Sequence, residues 1–293
     1  MDYVQKEVVR IAQDSDFLFQ EAILDFVLRR GRPFSYFKKD YLFKAGKWRD
    51  VDVSPLGLVD FRAVVIVGHS DYEMTERDVL RLAAVALPRA IFASNLTVSP
   101  AVRKILGADY LPLGLSNPTR ESAKHEIFGD WSLVRDVALE AGPPSADRAR
   151  LYANFDRRTA PEHRLEVAAV CEDLDHVEVG PMEVSKSGRL AYLRAMRDAG
   201  LVVCPRGNGP DTHRFYEALY VGALPVVLKS SYAAQMASHL GLPHLAVKKW
   251  SELSDLVGLR LQAATLRSRP CSLQWITKSA WLERLENIVT SAQ

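Results

Sequence analysis

"VVCPRGNGPDTHRFYEALYVGALPVV", residues 202–227, is the stretch whose reading decides the fold. Two short valine-rich runs flank a glycine-punctuated loop and a segment with helical spacing, and strand, loop, helix, strand is the repeating unit of a parallel sheet. In an open α/β sheet ligands bind beyond the carboxyl ends of the strands, and "LVVC" delivers the chain to such an end. Gly207 and Gly209 let the backbone bend and approach a ligand, and Asp211 or Thr212 can cap a helix whose free N–H groups and dipole favour an anion. That arrangement suits a phosphate. Arg206 and Arg214 are the candidate ligands, because a planar guanidinium can meet two phosphate oxygens at once. Within the helix Arg214, Glu217 and His213 share a polar face, while Phe215, Ala218, Leu219 and Gly222 form the opposite, buried stripe. The plain alternative is a solvated Arg214–Glu217 pair worth about 0.2–0.5 kcal/mol.

The same alternation runs outward in both directions. Ahead of the stretch lie "RLYANF" (strand), "PEHRLEVAAVCEDL" (helix), "HVEVG" (strand) and "GRLAYLRAMRDAG" (helix); after it come the strands "LPVVLKS" and "HLAVKKW", then the helical "SAWLERLENIVTSA". The first half repeats the plan with a helix in "DFLFQEAILDFVLRRG" closed by Gly31, strand "RAVVIVGHSD", helix "TERDVLRLAAVAL", strand "RAIFAS" and the extended "ADYLPLGL". Gly142-Pro143-Pro144-Ser145 cannot continue a helix, which sets the expected boundary: one domain over 1–146 and a second over 147–293. The expected class is α/β, with mostly parallel sheets and helices on both faces.

Composition narrows the partners. The chain of 293 residues is 48% hydrophobic and 25% charged, with 38 basic against 36 acidic residues and a formal charge of +2. Such a balance gives no field to hold nucleic acid, so an anion site must be local. Cys171, Cys204 and Cys271 are widely spaced and form no CxxC, which excludes a thiolate zinc motif and fits a reducing compartment. With no signal-like apolar core near the amino terminus and no run long enough to span a bilayer, the expectation is a cytoplasmic protein, with peripheral membrane association left open.

Familiar nucleotide motifs do not fit. A dinucleotide fingerprint would need a third glycine where Thr212 stands, and no GxxxxGK[ST] occurs. The DxD-like triplets at 50–52 and 173–175 arise readily by chance, and the second lies at the wrong end of a strand. His125, His163, His176, His239 and His244 have no metal-ligand spacing, so no metal and no resident cofactor is expected. Trp250, Trp275 and Trp281 are candidates to stack a sugar or to fill the core.

The stretch resembles the C-terminal motif of exostosin-like glycosyltransferases, glycosyltransferase family 47 and its bacterial relatives. There an arginine followed three residues later by a glutamate opens a helix ending in "EAL-x-x-G-x-x-P-V". Arg206, Gly207, Asp211, His213, Arg214, Glu217, Ala218, Leu219, Gly222, Pro225 and Val226 all match, and Ala223 is a mild departure. "LYANFDRRTAPEHR" is similar to the opening of the donor domain in such enzymes, so the resemblance covers most of the second half. It implies a GT-B fold of two Rossmann-like domains with an interdomain cleft. The second would bind a nucleoside-diphosphate sugar, UDP-linked by expectation; the first would bind a glycan or small-molecule acceptor, and the terminal helix would cross back onto it. The implied function is sugar transfer to a hydroxyl, inverting and metal-independent. A sugar-nucleotide epimerase of the same fold, or a non-catalytic nucleotide- or glycan-binding relative, stays open.

On that reading Arg206 and Arg214 hold the diphosphate, and Glu217 accepts the ribose hydroxyls, as the resemblance suggests. Asn154, Arg157 and Arg158 end the first strand of the second half and are candidates for the same site, with Asn208 a phosphate orienter or a turn residue. Inverting transfer needs a general base, and "AVVIVGHSD" sets two at a strand end: Asp71 first, His69 second. The plain alternative makes Asp71 a cap of the next helix and His69 the partner of a loop carbonyl. Asn95 is a candidate acceptor contact or a turn residue.

Overall fold

The computed structural model describes residues 2–38, 46–48, 51–53, 62–118, 127–143, 145–181 and 184–290. The first half runs α1 (Tyr3–Asp14), α2 (Gln20–Arg30), β1 (Phe34–Lys38), β2 (Gly46–Trp48), β3 (Val51–Val53), β4 (Val64–Gly68), β5 (Met74–Thr75), α3 (Glu76–Ala86), β6 (Ala90–Ala93), β7 (Leu96–Thr97), α4 (Pro100–Leu106), β8 (Ala108–Tyr110) and α5 (Trp131–Leu139). The second half runs β9 (Arg150–Ala153), α6 (Pro161–Glu172), β10 (Val177–Val179), α7 (Lys186–Ala199), β11 (Gly200–Val203), α8 (His213–Tyr220), β12 (Leu224–Leu228), α9 (Tyr232–Leu240), β13 (Leu245–Val247), α10 (Leu256–Arg267) and α11 (Lys278–Thr290).

Two compact units emerge, and their limits differ from a cut at 146. The larger comprises Met1–Phe19, Gly114–Asn208 and Thr212–Ala280; the smaller comprises Gln20–Leu113, Gly209–Asp211 and Trp281–Gln293. The physical reason lies in α1 and α5. The stripe Val4, Val8, Ile11 and Ala12 on α1 and the stripe Leu133, Val134, Val137 and Ala138 on α5 are buried, and these helices pack on each other and on α7 and α8. Gly142 and Pro143 therefore lie within the larger unit.

In the larger unit five parallel strands stand in the order β10-β9-β11-β12-β13. Numbered along the chain this is 2-1-3-4-5, a doubly wound order whose direction reverses between β9 and β11. Leu201 to Val203 and Leu224 to Val227 are buried, as continuous apolar strands covered on both faces must be. In the smaller unit β1, β4, β6 and β8 pair in parallel in that order, beside the antiparallel hairpin β2/β3 and the short parallel pair β5/β7. From Trp281 onward α11 belongs to this unit, where the Trp281 ring meets Phe92 edge-on at 5.5 Å. Trp281 and Trp250 are buried and serve the core rather than a sugar.

Candidate functional site

The reversal between β9 and β11 is where an open α/β sheet binds its ligand, and in the larger unit two loops meet there. Phe155 follows β9 and Arg206 follows β11. Arg164 on α6 joins them: its Nε donates to the carbonyl of Arg206 (2.8 Å) and its Nη1 to that of Asp156 (3.0 Å). The Arg164 and Arg214 guanidinium carbons lie 5.7 Å and 5.8 Å from the centre of the Phe155 ring. Burial, together with the charge of Arg214, pushes the Arg164 pKa down to about 10. Among the described residues neither arginine forms an ion pair with a carboxylate, and the Nε of Arg214 is buried without a hydrogen-bond partner. Arg214 opens α8, where Thr212 holds the N-cap position with no side-chain cap bond. The two guanidinium groups thus lie about the Phe155 ring near the first turn of α8, whose leading N–H groups point the same partial positive charge outward. Arg206 Nη2 donates to the carbonyl of Asn208 (3.2 Å), which shapes the half-buried Gly207 turn; Asn208 itself is exposed.

Glu217 does not pair with Arg214. Its Oε1 accepts from Arg189 Nη2 (2.6 Å) and its Oε2 from the Tyr192 hydroxyl (2.7 Å), both on α7, and the residue is only 4% exposed. Of the polar face expected on α8, Glu217 is buried, as are Tyr216 and Tyr220, while His213 and Arg214 are half-buried. Burial opposes ionisation of Glu217, but the charge of Arg189 and the two hydrogen bonds outweigh it and hold the carboxyl below its ordinary value. The same burial, with Glu217 alongside, lifts the Tyr192 hydroxyl well above its own. Arg189 also lies over the rings of Phe128 and Tyr192 at 5.5 Å and 5.1 Å.

Three further expectations change. Asn154 is buried and donates through Nδ2 to the Tyr152 hydroxyl (3.0 Å) and the Pro181 carbonyl (2.7 Å), so that amide is a strut between loops. Arg157 pairs with Glu172, and the exposed Arg158 forms a fork with Asp156, whose carboxyl it pulls down to about 2. Both arginines are thus paired with surface carboxylates, whereas Arg164 is buried and bonds two backbone carbonyls. His213 points its Nδ1 at the carbonyl of Gly114 (2.8 Å).

The smaller unit carries the other candidates. Asp71 is exposed after β4, and α3 is capped without it: Thr75 and Asp78 form a reciprocal capping box. His69 sits in the left-handed region (φ 53°); its Nδ1 bonds the Tyr36 hydroxyl and its backbone N–H donates to Gln20 Oε1. Asn95, also left-handed and buried, donates from Nδ2 to the Ser70 carbonyl (2.7 Å) and accepts from the Asp211 N–H at Oδ1 (2.8 Å). Asp211 Oδ2 accepts from the Leu113 N–H (3.2 Å). A Cβ on Gly209 would stand 3.0 Å from both Asn95 Nδ2 and the Asp71 carbonyl, so glycine permits that approach. Asn95 is thus a loop strut, not an exposed acceptor contact.

With this geometry in hand the comparison with known families is informative. Residues 162–279 match the family model described as the RXYLT1 C-terminal domain. That is an exostosin-family domain of the glycosyltransferase family 47 kind. The match spans α6 to the start of α11, including Arg164, Arg189, Arg206, Arg214 and Glu217. No curated protein matches the chain significantly. The mixed α/β, mostly parallel architecture is consistent with a Rossmann-like GT-B fold, and the matched domain fits it and points to glycosyltransferase activity in general. Among the described residues no three His, Cys, Asp or Glu side chains come together as a metal site; Asp50 and His125 lie outside them.

Sequence reasoning missed Arg164, Phe155, Arg189 and Tyr192. Arg164 has a readable signal, an arginine in the first turn of the helix that follows the first donor-half strand. Arg189 and Tyr192 have none, because their role depends on how α7 packs on α8.

Proposed function

We propose that the chain is a glycosyltransferase whose larger unit binds the diphosphate of a UDP-linked sugar and whose smaller unit supplies the general base for a hydroxyl acceptor. The observation that carries this reading is the pair Arg164 and Arg214, held about one ring of Phe155 at the sheet reversal with no carboxylate partner among the described residues. In the proposed reaction the Asp71 carboxylate takes the acceptor O–H proton as that oxygen attacks the anomeric carbon. The bond from sugar to phosphate breaks, and its electron pair leaves with the diphosphate, where Arg164, Arg206, Arg214 and the N–H groups opening α8 stabilise the added charge. Donor capture needs no divalent ion on this account. Glu217 acts through Arg189 and Tyr192, setting the floor of the site rather than holding ribose.

Calorimetric titration of UDP into the full chain in the presence of EDTA tests the donor half. Arg214→Ala is expected to weaken binding about 10- to 100-fold, the loss of a charge-assisted hydrogen bond or two. Unchanged affinity in that variant, or binding that appears only with manganese, would overturn the assignment. Asp71→Asn tests the other half: UDP affinity stays at the wild-type level while transfer falls by about 100-fold or more. Turnover of a sugar nucleotide with no acceptor present would favour the epimerase reading.

A further inference from the structure

The smaller unit carries an apolar, cationic face that the proposed chemistry does not use. Successive right-handed crossovers from β4 to β6 and from β6 to β8 put α3 and α4 side by side on one face of the sheet, and the two helices are in contact. On α3 the spacing i, i+4 aligns Leu80 and Ala84 on an exposed face, and Leu87, the left-handed cap just past the helix, is exposed as well, with Leu80 51% and Leu87 59% exposed. On α4 Ala101 and Ile105 share an exposed face, and Ile105 is 79% exposed. Arg77, Arg81 and Lys104 are exposed on the same two helices.

Charge decides what such a face would meet. From Val79 to Ala108 the sequence contains no Asp or Glu, in a chain that carries 36 of them. The carboxylates just before that stretch are engaged at helix starts: Glu76 accepts from the Ser99 N–H (2.9 Å) and Asp78 completes the capping box with Thr75. A second copy of the chain would bring the same cations against these cations. A bilayer with anionic headgroups offers the complementary charge, and shallow acyl chains for Leu80, Leu87 and Ile105. We infer that the exposed faces of α3 and α4 form a docking surface for an anionic lipid bilayer, lying on the membrane rather than crossing it. Among the described residues no helix is long and apolar enough to cross.

The test is flotation of the full chain with vesicles of phosphatidylcholine alone or of equal parts phosphatidylcholine and phosphatidylglycerol. Wild type is expected to float with the anionic vesicles at low salt, less at high salt, and to stay down with phosphatidylcholine. The double substitution Leu80→Glu with Leu87→Glu is expected to lower partitioning about tenfold or more, with an unchanged thermal melt because both side chains are exposed. Val257→Glu, at an equally exposed apolar position on α10, is the control that leaves partitioning unchanged. The inference is overturned if wild type ignores both vesicle types, or if the double variant floats like wild type. It is equally overturned if wild type proves to be a dimer that the double variant disperses, with no vesicle binding in either.

Discussion

Glu217 shows how much one residue's environment decides. Enclosed between Arg189 and Tyr192, it forms a buried ion pair whose worth lies less in attraction gained than in the cost of leaving Arg189 unpaired. Glu217→Gln keeps the shape but strands a guanidinium whose Nε and Nη1 have no partner among the described residues. We expect a loss of about 3–5 kcal/mol, read by urea denaturation at neutral pH. The pH dependence follows from the direction of the shift. The folded carboxyl titrates below the ordinary 4.5, so the stability it contributes is fully present above that value and disappears as pH falls through the lower, folded pKa. The gap between wild type and Glu217→Gln should therefore be constant near neutrality and close in acid; a gap that widens in acid would contradict the pairing.

At the scale of elements, the valine-rich central strands are readable, whereas β1, the short strands β5 and β7 and the surroundings of helices and loops are not. Valine-rich runs such as "LVVC" and "LPVV" are continuous because both faces are covered, and continuity survives in the sequence whatever covers them. For α8 the helical spacing placed Glu217 on a polar face with His213 and Arg214, yet α1, α5 and α7 all pack on this helix. Glu217 and Tyr216 are buried for that reason, and no periodicity within α8 carries the information. Asn95 illustrates the same limit in a loop: its type and position read as a turn, whereas its two buried bonds, to Ser70 and Asp211, come from chain segments far apart in sequence. Those bonds support a prediction that separates backbone from side chain. Asn95→Gly keeps the left-handed φ but leaves the Ser70 carbonyl and Asp211 N–H without their partner, and should cost about 1–3 kcal/mol. Asn95→Ala should cost about 1 kcal/mol more, because alanine also resists that φ. Equal stability of Asn95→Gly and wild type in urea would show that the bonds contribute nothing.

For the whole molecule the consequence concerns which pieces can fold. A composition break at Gly142-Pro143 marks the end of a helix, and such breaks fall within units as readily as between them. What assigns α1 and α5 to the larger unit is the apolar surface they bury against α7, α8 and one another, a relation between segments that a linear reading does not contain. A fragment of residues 147–293 would therefore keep all five strands of the larger sheet but lose the cover of α8 and α7. It would also lose Asp2, the ion-pair partner of the buried Arg267 at 2.7 Å, and the Leu18 N–H that donates to Tyr220. Exposed apolar faces with buried polar groups left unpaired are the recipe for a molten, aggregation-prone state. We expect this fragment to retain far-UV circular dichroism, bind a hydrophobic dye strongly and melt without a sharp transition, whereas the full chain melts cooperatively. Adding residues 1–19 and 114–146 back should restore a sharp transition, since that set restores α1 and α5 to their places. A cooperative melt for 147–293 with no dye binding would mean that the sheet and its own helices form a sufficient core, and that α1 and α5 merely decorate it.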